Sequence, residues 1–254
     1  MIAQRLEVGD AQLDSPLGRT SPVIKLAIAV VWLVGLALTL HPLPPLVLAT
    51  AAIAAGLALG GVPPRGMAVT LAPLWIAALT VGISNMLFSA ANADETSTTL
   101  LAVGPLRIST AAAAGGIAIA LRAVAIACVG GVFALTTDST RLADALVQQA
   151  GLPARFAYGA LAAYQAIPRF SEDLATLRQA RRIRGLRGGW HPRLLVGLLV
   201  LAIRHGDRLA LSMDARAFGS GPRTHYRPMP WRAADGLVAV AAVAILAIAL
   251  VLGR

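Results

Sequence analysis

The sequence predicts an all-α polytopic membrane protein with about five transmembrane helices and long arginine-rich helices outside the membrane. Of its 254 residues, 57% are hydrophobic and only 13% are charged, whereas a soluble domain normally carries about a quarter charged residues. Several apolar runs reach the roughly 18 to 20 residues that span a bilayer as a helix. Charge is also spread unevenly, because residues 136–232 hold 15 arginines against six acidic residues.

Residues 1–136 predict a polar N-terminal segment followed by four spans. The segment ends in a turn at residues 14–19 (DSPLGR), and Lys25 marks the start of the first span. The chain reverses at residues 41–45 (HPLPP) and 62–65 (VPPR), because proline lacks a backbone donor and disfavours helical geometry before it. The predicted spans cover residues 25–40, 46–61, 67–90 and 111–135, with Pro73 as a kink site in the third.

The loop at residues 91–110 separates the third and fourth spans. It contains the acidic pair Asp94-Glu95 and a single basic residue, so it is predicted to be external. Its apolar part, residues 100–108, predicts a small hairpin around Gly104-Pro105 that rests at the membrane interface.

Residues 137–232 form a second predicted domain, and residues 233–254 contain the last span. The polar cluster at residues 137–140 (TDST) predicts the start of a helix that Gly151 ends. A second helix begins near residue 153 and is predicted to stop at Pro168, after which Ser171 caps a new helix that runs to Arg184. A third helix is predicted over residues 192–218.

The loops agree with one orientation in the membrane. If the N-terminus is cytoplasmic, the basic loop at Arg65 and the arginine-rich domain are cytoplasmic too, and the acidic loop is external. That arrangement satisfies the positive-inside rule. The formal charge of +10 is therefore interpreted as membrane sidedness, and a nucleic-acid partner is not predicted.

Two arginine motifs lie at the ends of the long helices of the second domain. The first is Arg182-Ile183-Arg184-Gly185, and the second begins at Asp214 and reads DARAFG. The apolar portions of these helices predict that they pack together into a platform for a partner.

At these residues the chain resembles a known family, the transmembrane T component of energy-coupling factor transporters, which are ABC-type importers of vitamins and transition-metal ions. The resemblance covers most of the chain. It is carried by residues 14–17 (DSPL) with Lys25, 121–123 (LRA), 136–138 (TTD), 151–153 (GLP), and the RRIRGL and SMDARAFG stretches. The motifs depart from the family's Ala-Arg-Gly pattern at Ile183, which replaces Ala, and at Ala217, which replaces Gly.

The resemblance implies a mechanical function. Two ATPase subunits dock beneath the motif-bearing helices, and a separate membrane S component carries the substrate. ATP and Mg²⁺ are held by the ATPases, and no cofactor is expected on this chain. The residues implied to contact the ATPases are Ile183, Arg184, Gly185, Ala215, Arg216 and Ala217, with Arg181, Arg182, Asp214 and Gly219 in support.

Other candidate sites are fewer. Arg122 lies in the middle of the fourth span, so it must face protein or water, and Ser84, Asn85 or backbone carbonyls are candidate partners. Its expected role is structural, to pin the helix bundle, rather than direct contact with the substrate component. Cys128 is predicted to be a buried packing residue. The four histidines lack metal-ligand spacing, and no lysine follows a glycine-rich loop as a P-loop requires.

Two other functions stay open from the residues alone. A self-contained secondary transporter would need internal repeats, broken helices and several polar groups in the membrane. A membrane-anchored binder of anionic lipid or nucleic acid would lose binding gradually as any arginine is removed. The coupling function instead predicts that two arginines dominate.

Overall fold

The computed structural model of the chain describes residues 10–39, 41–93, 98–103, 106–186, 191–221 and 224–253. These residues form two compact units, one of Met1–Asp138 with Pro230–Arg254 and the other of Ser139–Met229. The helices of the first unit are α1 (Asp10–Leu13), α2 (Pro16–Arg19), α3 (Pro22–Ala37), α4 (Leu43–Ala58), α5 (Pro64–Phe88), α6 (Thr110–Thr136) and α10 (Ala233–Leu252). Those of the second unit are α7 (Ser139–Gln148), α8 (Ala154–Ile183) and α9 (Pro192–Ala215).

The predicted fold class is confirmed, because the chain is an all-α polytopic membrane protein. Within the described residues, α5, α6 and α10 are long and apolar enough to cross a membrane. The apolar helices α3 and α4 have 16 residues each. At 1.5 Å per residue they measure about 24 Å, slightly less than the roughly 30 Å hydrocarbon core of a bilayer.

Proline sets the start of three of the membrane helices. Pro22, Pro44 and Pro64 each occupy the first turn of their helix. The amides of a first turn have no partner in their own helix, so proline costs nothing there. Each of these helices begins three residues before its predicted start. The prolines at the starts of α4 and α5 were predicted to lie in loops, and α3 was predicted to begin at Lys25.

The core of the first unit is apolar. Leu36, Leu48, Leu71 and Ala125 are at most 1% exposed. Cys128 is a buried free cysteine in the same cluster, which confirms its predicted packing role.

Glycine permits the close approach of α5 and α6. A Cβ on Gly116 would lie 2.8 Å from the carbonyl oxygen of Gly82, and one on Gly131 would collide with the side chain of Leu71. Gly115 and Gly130 face open space. In each of the pairs Gly115-Gly116 and Gly130-Gly131, the second glycine is therefore the one used for packing.

The loop before α6 contains the predicted hairpin. Strands β1 (Thr99–Val103) and β2 (Leu106–Ser109) pair antiparallel. The residues at its predicted tip, Gly104-Pro105, and the acidic pair Asp94-Glu95 lie outside the described residues. The Ser109 side chain then accepts a hydrogen bond from the amide of Ala112 and caps α6.

A polar cluster joins three helix ends of the first unit, and we call it the clasp. Its members are Ser21, Lys25, Thr136 and Asp235. The Lys25 ammonium donates to the Thr136 carbonyl over 2.6 Å. The Asp235 carboxylate accepts from the amide of Ser21 over 2.8 Å, and from the amide before α10. The start of α3, the end of α6 and the start of α10 therefore lie at the same end of this unit.

One prediction for the second unit is wrong. Residues 154–183 form a single helix that continues through Pro168, whereas the sequence predicted a break there. Proline removes one hydrogen bond of the helix, and the turns on either side continue without it. Ser171 does not cap a new helix, because its hydroxyl donates back to the carbonyl of Pro168.

The returning segment after α9 is held to α7 by two glutamines. The Gln148 side chain donates to the carbonyl of Arg227 and accepts from the amide of Met229, each over 2.9 Å. The Gln149 side chain donates to the carbonyl of Met229 over 3.0 Å. These bonds satisfy backbone groups of a segment that has no regular structure.

Candidate coupling surface

The first arginine motif is a glycine-terminated helix end. Arg184 is the residue after the last turn of α8, and Gly185 follows it with a positive φ of 72°. The amide of Gly185 donates to the carbonyl of Arg182, and the amide of Leu186 donates to that of Arg181. This pair of bonds defines the Schellman cap, in which the residue in the left-handed region is usually glycine.

The second motif has the same geometry. Arg216 follows the last turn of α9, and Ala217 has a positive φ of 54°. The amide of Ala217 donates to the carbonyl of Asp214, and the amide of Phe218 donates to that of Met213. Ala217 thus occupies the position that Gly185 occupies in the first motif.

Arg184 and Arg216 are therefore equivalent positions on two different helices. Each is the capping residue of a Schellman motif, and each side chain is exposed. A cation at a helix C-terminus is stabilised by the helix dipole. The sequence predicted both arginines near helix ends, and the structure adds that they share one backbone geometry.

The supporting residues divide into two groups. Asp214 and Gly219 make hydrogen bonds with their backbone carbonyls. The Asp214 carbonyl accepts from the amide of Ala217, and the Gly219 carbonyl accepts from the Arg155 side chain over 3.1 Å. Arg181 and Arg182 lie in the last turn of α8. Within the described residues, no hydrogen bond or ion pair of their guanidinium groups is found, and the Nε atom of Arg181 is buried without a partner.

A cavity of about 640 Å³, lined by both polar and apolar side chains, lies beside the second motif. One of its lining residues is Asp144, which is 8% exposed and accepts a hydrogen bond from the hydroxyl of Tyr158 over 2.8 Å. Phe218 packs edge-on against the Tyr158 ring, at 6.3 Å between centroids. Burial first, and then the bond and the charge of Asp144, raise the pKa of Tyr158 to about 12. This pair carries no signal in the sequence, since only the fold brings the two residues together.

Arg122 lies in the middle of α6 and is only partly buried. Its Nε atom is buried and has no hydrogen-bond partner among the described residues. The hydrogen bonds to Ser84 or Asn85 suggested by the sequence are not found there.

Two histidines of the second unit have local structural roles. His191 accepts a hydrogen bond from the amide of Arg193 and so caps α9. His205 packs edge-on against Phe170. In the described part of the chain, no group of three or more His, Cys, Asp or Glu residues could hold a metal ion.

Comparisons with known proteins agree with these features. The protein-family model described as cobalt transport protein (CbiQ) matches residues 14–226. The energy-coupling factor transporter transmembrane protein EcfT of Limosilactobacillus fermentum is 29% identical over 95% of this chain and 94% of its own length. The protein of the same name from Heliobacterium modesticaldum is 27% identical over 90% of each chain.

A different kind of relative matches a shorter region. A protein of Bifidobacterium longum, named as an ABC transporter ATP-binding protein, is 27% identical over 69% of this chain but only 24% of its own length.

The match to the protein-family model spans four of the membrane helices and both arginine motifs. The chain therefore belongs to the CbiQ/EcfT family, the transmembrane T components of energy-coupling factor transporters.

Proposed function

We propose that this chain is the coupling subunit of an energy-coupling factor importer. It passes the ATP-driven motion of two ATPase subunits to a membrane S component that binds a vitamin or a transition-metal ion. The observation that carries the proposal is the equivalence of Arg184 and Arg216, each exposed on a Schellman cap at the end of a long helix. Two equivalent basic ends suit two similar partners.

The chemistry of arginine fits an ATPase contact. A guanidinium is always charged and makes paired hydrogen bonds to a carboxylate, which survive partial burial in an interface. The Bifidobacterium longum relative, which is named as an ATP-binding protein, matches this chain over about a quarter of its own length. That similarity also supports ATPases as partners of this chain. In this proposal ATP and Mg²⁺ belong to those partners, and the chain itself is not an enzyme.

The clasp supports a cytoplasmic position for the arginine-rich unit. Its hydrogen bonds hold Lys25, Thr136 and Asp235 at one end of the first unit, and the second unit is inserted between Thr136 and Asp235 in the sequence. The positive-inside rule makes the end that leads into 15 arginines the cytoplasmic one. The N-terminus then lies on the same side of the cell membrane.

The test is the double replacement of Arg184 and Arg216 by alanine. In cells that supply both ATPases and an S component, this variant should insert normally but recover almost no ATPase on purification, or should hydrolyse ATP without uptake. The matched control replaces Arg178 and Arg204, which are exposed arginines of the same two helices. Wild-type uptake by the double variant would overturn the proposal.

The control also separates the competing function. A surface that binds anionic lipid should lose binding to a similar degree in both double variants, because each arginine near a membrane contributes roughly 1 kcal/mol. A coupling surface should respond only to the loss of Arg184 and Arg216. Uptake of labelled vitamins, cobalt and nickel by the complete complex would then identify the substrate.

A further inference from the structure

Arg122 is the most unusual charged residue of the first unit, because it lies in the middle of a membrane helix. It lies 12 residues after Thr110 and 14 before Thr136, the two ends of α6. At 1.5 Å per residue it is about 18 Å from one end and about 21 Å from the other. With a roughly 30 Å hydrocarbon core centred on α6, the nearest edge is then about 13 Å away, too far for the side chain to reach by snorkelling.

None of the described residues satisfies this guanidinium. Its Nε atom is buried, and no hydrogen bond or ion pair of the side chain is found among the described residues. A buried polar group without a partner is costly in a low-dielectric environment, and a charged one more so. A partner for the guanidinium must therefore come from outside the described residues.

On α6, Arg122 lies at the border between the buried face of the helix and its exposed face. One turn further along, Ile126 is 46% exposed, and two turns along, Val129 is 6% exposed. The side chain is itself only partly buried. A second membrane protein that packs against this border could therefore reach the guanidinium without unfolding α6.

We infer that Arg122 is a docking point for a carboxylate in a transmembrane helix of a partner protein. A carboxylate accepts two parallel hydrogen bonds from a guanidinium, and pairing removes the net charge of both groups from the membrane. Under the proposed function this partner is the S component, and the inference depends on that function only for the partner's identity.

The inference predicts opposite effects of one substitution on the isolated chain and on the complex. Arg122→Met removes an unsatisfied charge from the isolated protein, so its Tm in detergent should stay the same or rise. In the complex the same variant leaves the partner's carboxylate unpaired, so recovery of the S component with the chain should fall at least tenfold. The ATPases should be recovered as with the wild type.

Two control variants sharpen the experiment. Arg65→Met removes the same charge from an exposed position in the first turn of α5, and it should leave recovery of the S component unchanged. Arg122→Lys keeps the charge but not the paired geometry, so it should fall between the wild type and Arg122→Met.

Either of two results would overturn the inference. A Tm several degrees lower for isolated Arg122→Met would show that the arginine stabilises its own bundle. Wild-type recovery of the S component would show that no partner needs the charge. Recovery of the S component is measured twice, once with only this chain and the S component and once in the full complex. Failure of the wild type to bind ATPases would therefore count against the proposed function only.

Discussion

The ammonium group of Lys25 lies 2.6 Å from the carbonyl oxygen of Thr136, a residue 111 positions further along the chain. Lys25 is in the first turn of α3, and Thr136 is the last residue of α6. The positive charge thus meets the negative end of the α6 dipole and one of its carbonyls that has no partner in the helix. This bond makes the only lysine of the sequence a structural residue.

Replacing Lys25 by methionine should destabilise the first unit by about 1.5 to 3 kcal/mol, since a hydrogen bond to a charged group is lost and a buried carbonyl is left unpaired. Thermal unfolding of the purified protein in detergent would measure the change. Lys25→Arg keeps a charged donor and should retain most of the stability. Equal stability of the two variants would contradict this role for the bond.

The two Schellman caps offer a reciprocal pair of substitutions. Ala217 has a φ of 54° and Gly185 one of 72°, and a Cβ on Gly185 would meet no atom within 4 Å. A side chain in the left-handed region costs roughly 1 to 2 kcal/mol. Ala217→Gly should therefore stabilise the end of α9, and Gly185→Ala should destabilise the end of α8 by a similar amount. Hydrogen exchange at the amides of Phe218 and Leu186 would report each change.

The glycines of α6 allow a comparison between neighbours in sequence. Gly116→Ala would place a Cβ 2.8 Å from the carbonyl oxygen of Gly82, and backbone cannot move aside as a flexible side chain can. We expect a loss of about 1 to 3 kcal/mol, as for other overpacked sites. Gly115→Ala meets nothing within 4 Å and should be neutral or slightly stabilising. Thermal unfolding of the two variants should separate them clearly.

Tyr158 makes the stability of the second unit depend on pH in the alkaline range. Its pKa is raised from 10.0 to about 12, so the folded state holds this proton more tightly than the unfolded chain does. The stabilisation is complete below pH 10 and is lost as the pH rises through about 12. Tyr158→Phe should remove this dependence, which denaturation of the second unit at several pH values would reveal.

A second tyrosine serves as the control for that measurement. Tyr226 is 95% exposed, so Tyr226→Phe should leave the fall in stability above pH 10 unchanged. The same slope in Tyr158→Phe as in the wild type would mean that another group causes it.

The sequence predicted the class of the fold and most helices, because long apolar runs and proline-rich loops are local signals. Proline was nevertheless ambiguous. The same residue type begins α3, α4 and α5 and lies inside α8 at Pro168. Its position relative to a helix depends on neighbouring turns and on tertiary packing, which no short pattern contains.

The candidate site was predictable in part. Arg184 and Arg216 stood out as arginines before small residues at helix ends, but their shared cap required backbone angles. The clasp could not be derived, since it joins residues more than 100 positions apart. A weak signal did exist, because Lys25 is the only lysine and Asp235 the only charge in the last apolar run.

The clasp also bears on how the chain is divided in sequence. Ser21 and Lys25 are one helical turn apart, and they hold the residues before and after the second unit through Thr136 and Asp235. The polypeptide therefore leaves the membrane bundle and re-enters it at neighbouring points, as a host domain does around an insertion. Such an insertion can change in sequence without redesign of the host bundle, so under the proposed function the surface that contacts the ATPases is encoded by this one segment.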